Sequence, residues 1–408
     1  MKFALTLFRK VTFVLVTTTI FISCSQNKKL SIEEQANKIA QESIIIDSHI
    51  DLPNWLFEEF DDVSKLENAS NFDYLKAQKG GLDAPFLAVY VSPELEGKVE
   101  AMENANHQLD LLDQLFAKNA NKLAKALSPA DVKINFKNKV MAIPLGLENG
   151  APLMGDLNNL KYFYDRGIRY VTIVHGKCNH ICDSSYDSIR IWNGLSEFGE
   201  QLVNEMNKIG MIIDVSHASD SSFYEIMRVS KAPVAATHSG VRFYTPGFER
   251  NLTDEMIRMI AEKGGVIGIP FGSGFLRPDA NIFRDKYHLA FDEFLHNTGV
   301  NYKSEEAETF NRDYYKKYPY PYASIDELID HIDYVVKLVG LDHVGIGSDF
   351  EGVGDSLPEG LKDVSGYPNL IVGLVKRGYS AEDVDKILGL NFLNFWQRVI
   401  DHASQNKI

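Results

Sequence analysis

Short, continuously apolar and β-branched runs recur along the chain between longer stretches in which apolar residues return every three or four positions. Eight such runs lie at 44–46, 86–91, 140–145, 170–174, 211–215, 233–237, 265–269 and 344–346. Their polarity hardly alternates, which marks parallel strands buried on both faces rather than half-solvated sheet. Between them, 195–209, 254–263 and 325–339 carry the spacing of amphipathic helices. Strands alternating with helices in this way predict α/β architecture in one unit, a single (β/α)8 barrel. The length of 408 residues accommodates such a barrel with insertions. Two gaps exceed a standard unit. The stretch 92–139 holds a polar helix around 103–115, and 270–324 carries Tyr314, Tyr315, Tyr318, Tyr320 and Tyr322 among charges, an insertion on the side where barrel loops shape a site.

The residues just past each run carry the chemistry. Run one leads into Asp47-Ser48-His49-Ile50-Asp51, where a side-chain period of two turns His49 and Asp51 to the same side. Run three leads into Glu148, run four into His175, run five into His217, run six into His238 and run eight into Asp349. Any one of these alone reads as a satisfied core histidine or a helix cap. Together they crowd imidazoles and carboxylates onto one rim, where they would repel or desolvate one another unless a cation held them. Bound divalent metal answers that problem: imidazoles with carboxylate oxygens suit zinc, and one carboxylate can bridge two ions. His343 starts a strand and so falls on the opposite face, and His107, His288, His296, His331 and His402 read as structural.

Charge and the amino-terminal segment narrow the setting. A formal net charge of -14 argues against a phosphate-neutralising surface, so no nucleic acid partner is expected. Lys2, Arg9 and Lys10 precede an apolar run at 11–22 that is too short to span a bilayer and contains no acidic residue. Residues 1–23 therefore read as a signal peptide, and Phe21-Ile22-Ser23-Cys24 resembles a bacterial lipobox. That resemblance makes Cys24 the lipidated first residue of the mature chain, 24–40 a tether and 41–408 the folded domain. The protein is then an exported lipoprotein, membrane-anchored and facing the periplasm. Cys178 and Cys182, four apart, read as free or disulfide-linked cysteines without a specific role.

The motifs resemble those of the membrane dipeptidase (renal dipeptidase) family of zinc peptidases, a class of metal-dependent hydrolase barrels. The likeness runs from Ile44 to about Val399. It rests on D-x-H-x-D at Asp47 to Asp51, Gly146-Leu147-Glu148-Asn149-Gly150, Asp214-Val215-Ser216-His217, and Thr237-His238-Ser239, in which Thr237 stands for the family's serine. Arg250-Asn251-Leu252-Thr253-Asp254, Gly264 to Gly268, Asp342 to Phe350 and Gly389 to Leu393 complete it. The resemblance implies two Zn2+ per chain, one held by His49 and Asp51, the other by His217 and His238, with Glu148 bridging. It implies hydrolysis of the peptide bond of free dipeptides by a metal-bridged hydroxide, His175 polarising the substrate, Arg250 pairing with its carboxylate and Asp349 meeting its amino end and carrying the proton. Asp47 shares the parity of His49 and Asp51 one layer deeper and reads either as an orienter of the ligands or simply as a core residue. The family's members are often dimers, which implies a homodimer. Asn179 to Ser185 resembles a bacterial branch, making His180 a candidate contact beside the plainer reading that it lies outside the site.

Two other readings stand beside the zinc dipeptidase. Another barrel amidohydrolase could act on a cyclic amide, an N-acyl amino acid or an ester, and a non-catalytic lipoprotein could merely bind metal. Arg250 and Asp349 favour the dipeptidase over the first, because a dipeptide is charged at both ends. The second leaves His175, Arg250 and Asp349 without a purpose, since none is needed to retain two ions.

Overall fold

Apolar runs buried on both faces have no solvated side to offer, and here they close on themselves. The computed structural model describes residues 30–58, 63 and 70–405, and the expected signal peptide and Cys24 lie outside them. The strands in chain order are β1 (Ile45–Ile50), β2 (Leu82–Tyr90), β3 (Leu123–Lys125), β4 (Met141–Ile143), β5 (Leu145–Glu148), β6 (Ile168–Thr172), β7 (Ile212–Asp214), β8 (Ala235–Ala236), β9 (Val266–Ile269) and β10 (Val344–Ile346). All but β3 and β4 form one closed parallel barrel in the order β1-β10-β9-β8-β7-β6-β5-β2. The expected eight-stranded architecture is present.

Three local differences have physical causes. The run at 140–145 is not one strand: β4 pairs only with β3, and the barrel strand begins at Leu145. Pro144 separates them, having no N–H to continue a ladder, while its carbonyl accepts from Leu87 N at 3.0 Å. Glu148 therefore ends β5 instead of lying beyond it. The run at 233–237 shrinks to the two residues of β8. Residues read as the far part of a tether form the helix Ile32–Glu42, started by a capping box between Ser31 and Glu34 and burying Ala36, Ile39 and Ala40, so the folded unit begins before residue 41. The helix expected over 325–339 is Ile325–Val339, capped by Ser324.

The barrel interior is filled in two levels. At the floor, Ile46, Phe86, Tyr170, Ile212 and Val266 meet Phe392, Phe395 and Trp396 of the closing helix Asn391–Gln405, with the Phe86 and Trp396 rings 5.3 Å apart. Gly146 makes room for the Tyr170 ring, which reaches up toward the rim. The insertion after β9 builds two helices, Pro278–Thr298 and Glu305–Lys317, whose only buried residues are Ala280 and Ala307. They meet through aromatic edges and faces, including Phe294 with Phe310 at 4.6 Å and Tyr287 with Tyr314 at 5.5 Å.

A Cβ on Gly146 would fall 2.0 Å from Tyr170 Cζ, whereas one on Gly345 would meet nothing closer than 3.6 Å. Gly146→Ala should therefore destabilise the protein by about 1–3 kcal/mol, as overpacking does. Gly345→Ala should move it by far less. Urea midpoints at unchanged slope measure both, and equal midpoints would contradict this packing.

Candidate metal centre and cavity

The strand ends deliver their polar residues to one point. His49 lies in β1 with Asp51 directly after it, and Glu148 ends β5. His175, His217, His238 and Asp349 lie two or three residues past β6, β7, β8 and β10. His217 and Asp349 take left-handed backbone angles, φ 68° and 64°, which swing their side chains inward at the exits of their strands. Glu148 is the hub. Its Oε1 lies 3.3 Å from His217 Nε2 and 3.4 Å from His238 Nε2, and its Oε2 lies 3.5 Å from His49 Nε2. His49 Nε2 is 3.6 Å from Asp51 Oδ1, and His175 Nε2 is 3.8 Å from Glu148 Oε1.

Deeper groups orient these ligands. Asp214 accepts from Thr172 Oγ1 and Thr237 Oγ1, both at 2.6 Å, and from the backbone of Ser216 and Thr237. Since the Thr237 hydroxyl donates to Asp214, its contact of 2.9 Å with His238 Nδ1 is one it accepts, which leaves the His238 Nε2 lone pair facing the centre. Tyr170 Oη lies 2.8 Å from His49 Nδ1 and fixes the orientation of that ring. Asp47, expected one layer down, accepts from His49 N, Ser348 N and the Tyr367 hydroxyl.

Electrostatics at the centre are those of a place made for a cation. Burial, reinforced by Arg250, holds His217 and His238 well below the ordinary imidazole value, and burial pushes His175 down to about 4. These rings stay neutral, the form that a metal takes. Burial would lower His49 too, but the carboxylates of Glu148 and Asp51 outweigh it and raise it well above its ordinary value. Burial and the neighbouring Asp51 push Asp349 up to about 8. The fit to metal is visible in the orphaned atoms: His49 Nε2 and Asp51 Oδ1 are buried with no hydrogen-bond partner. His49, Asp51 and Glu148 present ligand atoms within 4.8 Å of one another, as do Glu148, His175 and His217, and His49, His238 and Asp349. The donor set is the nitrogen and oxygen mixture that divalent metal prefers.

The centre forms the floor of a cavity of about 910 Å³, lined by Asp51, Glu148, His175, His217 and Asp349. The insertion supplies part of its wall through Phe283, Arg284, Tyr287, His288, Tyr315 and Tyr320. His288 thus faces the cavity, where a purely structural role was expected. Arg250 is buried behind the rim, donating to Ser239 Oγ at 2.7 Å and His238 O at 2.8 Å, with its Nε unpartnered. His180 is pinned by Glu96 at 2.7 Å and by Gly155 N at 3.1 Å and does not line the cavity. Cys178 and Cys182 are free, and burial raises the thiol of Cys178 to about 11. Sequence reasoning missed Tyr90, whose ring is 4.9 Å from that of His175, and Tyr186, 5.8 Å from His217. It also gave Asp214 and Tyr170 no role. The alternation that puts Asp214 on the side of the rim was a usable signal; nothing marked Tyr186, which sits in an irregular loop.

Comparison with known proteins finds similarity over most of the chain. The chain matches the family described as membrane dipeptidase (peptidase family M19) over residues 33–408. Dipeptidase aclJ of Aspergillus oryzae is 32% identical over 328 residues, spanning 79% of this chain and 68% of the relative. Dipeptidase tcpJ of Claviceps purpurea is 30% identical over 346 residues, spanning 83% and 72%. Among solved structures, the probable dipeptidase PvdM from Pseudomonas aeruginosa is similar with a TM-score of 0.78 at 29% identity, covering 91% of this chain and 99% of that one.

Removing the hydroxyl that orients His238 leaves a buried imidazole nitrogen unpaired and the ring free to turn. Thr237→Val should weaken divalent metal binding about 10–100-fold, the usual effect of losing such a partner. Titration of the metal-free protein with zinc, read by calorimetry, measures this. Unchanged affinity would mean that Asp214 and Thr237 serve only the barrel.

Proposed function

Because the chain belongs to the membrane dipeptidase family, peptidase family M19, and is a metallodipeptidase by that membership, we propose that it hydrolyses free dipeptides with two zinc ions shared across Glu148. The observation that carries this reading is the Glu148 carboxylate itself, buried and set within 3.3–3.5 Å of three imidazoles from three strand ends. His49 and Asp51 would hold one ion, His217 and His238 the other. When bound, such ions supply a water acidic enough to be a nucleophile near neutral pH and a Lewis acid for the peptide carbonyl.

The chain's own residues do the rest. His175 is neutral, reaches the cavity with a quarter of its side chain exposed, and has no hydrogen bond at Nδ1. It donates to the scissile carbonyl oxygen as that oxygen gathers charge. With the Asp51 charge offset by bound cations, Asp349 would be ionised, and its carboxylate would take a proton from the attacking water and pass it to the departing nitrogen, so that the amine leaves neutral. Arg250 spends two of its five N–H donors on Ser239 and His238. The remainder form a fork for the substrate's terminal carboxylate. With Asp349 at the other end, the site selects molecules charged at both termini and only one peptide bond apart.

On the reading of residues 1–24 we place the enzyme as a lipoprotein held to a bacterial membrane through Cys24; no helix among the described residues is long and apolar enough to cross a membrane. Cys24→Ser should release it into the soluble fraction with turnover unchanged. Persistence in salt-washed membranes would exclude lipidation there as the anchor.

Substrate polarity tests the dipeptidase reading directly. Arg250→Met should lose about 2–4 kcal/mol of transition-state binding for a free dipeptide and far less for its carboxy-terminal amide. The measurement is kcat/KM for both compounds in wild type and variant, each carrying two zinc ions by elemental analysis. Equal losses, or wild-type indifference to amidation, would return the choice to the wider amidohydrolase class.

A further inference from the structure

The cavity is larger than its reaction requires and its charges are sorted. About 910 Å³ is enough for a drug-sized ligand, well beyond a dipeptide of small residues. Apart from Glu148 at the floor, its carboxylates Asp51, Asp349, Glu351 and Asp355 come from the loops after β1 and β10, which are neighbours in the barrel. The opposite charge enters from elsewhere. Arg284, on the insertion helix Pro278–Thr298, lines the cavity with its guanidinium 5.8 Å from the Tyr186 ring and 5.4 Å from the Phe248 ring. Those rings stand in the loops after β6 and β8. Phe248 lies 6.2 Å from Phe275, and Phe275 carries the Arg250 guanidinium at 5.3 Å. Two guanidiniums thus flank one pair of phenyl rings, Arg250 on the inner side and Arg284 on the outer.

Arg284 meets the Tyr186 hydroxyl but has no firm carboxylate partner. Among the described residues its one carboxylate neighbour is Asp285, adjacent in sequence, at 3.0 Å and 64% exposed. Consecutive residues on a helix do not face each other, and an exposed pair of this kind contributes little. A carboxylate brought into the cavity would meet a better-shielded partner in Arg284, stacked on aromatic faces.

Building on the dipeptidase reading, we infer that Arg284 is a specificity-determining residue for the side chain of the carboxy-terminal residue, and that the favoured substrates are dipeptides ending in an acidic residue. The terminal carboxylate goes to Arg250 and the side-chain carboxylate to Arg284, across the Phe248 and Phe275 pair. The amino end lies on the acidic side, near Asp349.

The test uses the full zinc-loaded chain and three near-isosteric substrates, Ala-Glu, Ala-Gln and Ala-Lys, each with the second residue in both configurations. Wild type should favour Ala-Glu over Ala-Gln by about tenfold or more in kcat/KM, with Ala-Lys poorest, as expected when a charge-assisted pair replaces a neutral contact. Arg284→Gln should bring the ratio of Ala-Glu to Ala-Gln close to one, chiefly through KM. Arg284→Lys should keep part of the preference, and Arg284→Glu should turn it toward Ala-Lys. Circular dichroism and zinc content show that each variant is folded and loaded. A wild-type ratio near one, or the same ratio in every variant, would overturn the assignment while leaving the dipeptidase reading intact. No turnover of any dipeptide would instead sink that reading and this inference with it.

Discussion

Two carboxylates that never reach solvent hold the rim together. Asp47 accepts hydrogen bonds from β1, from the second residue past β10 and from Tyr367, and so ties the seam where the barrel closes. Asp214 gathers Thr172, Ser216 and Thr237, fastening the ends of β6, β7 and β8. A carboxyl buried without such donors would be left unsatisfied. With them it becomes a rigid junction. Asp47 is one hydrogen bond from a ligand, at the His49 amide, and Asp214 is two from another, through the Thr237 hydroxyl to His238. Barrel closure and ligand aim are therefore the same set of hydrogen bonds seen from two sides.

That coupling explains why the centre can remain so charged. Glu148, Asp51 and Asp349 sit together with four imidazoles, an arrangement in which burial drives His217 and His238 neutral and pushes Asp349 toward its protonated form. His49 Nε2 and Asp51 Oδ1 face each other at 3.6 Å without a hydrogen bond. A scaffold less firmly braced would relax by turning side chains outward. Here the left-handed angles at His217 and Asp349 and the hydroxyl behind His238 prevent it.

The sequence made much of this legible because strand ends are places where period and chemistry coincide. His49, Asp51, Glu148, His217 and His238 could be read from their positions at the ends of apolar runs, and the structure brings all five together. The long helix Ile325–Val339 was legible to the residue from its three-and-four apolar spacing. The misses have physical reasons. Pro144 split an apolar run that periodicity could not divide, β3 is too short to show a period, and the helix Ile32–Glu42 was hidden by a polar composition that suited a tether equally well. Tyr186, Arg284 and Phe248 were invisible because their meeting depends on how loops from distant strands converge, which no local pattern encodes. Arg250 was found through its motif alone, since its position behind the rim is set by the path of a loop.

The insertion after β9 has a consequence for how such an enzyme changes over time. Its two helices bury only Ala280 and Ala307 and hold to each other by ring contacts, so the barrel core does not depend on them. Yet they supply much of the cavity wall. Mutations that would wreck a core position are tolerable here, and those tolerated mutations fall on the surface that meets the substrate. A substitution on these helices can therefore reshape the cavity wall without loosening the barrel that holds the metal ligands.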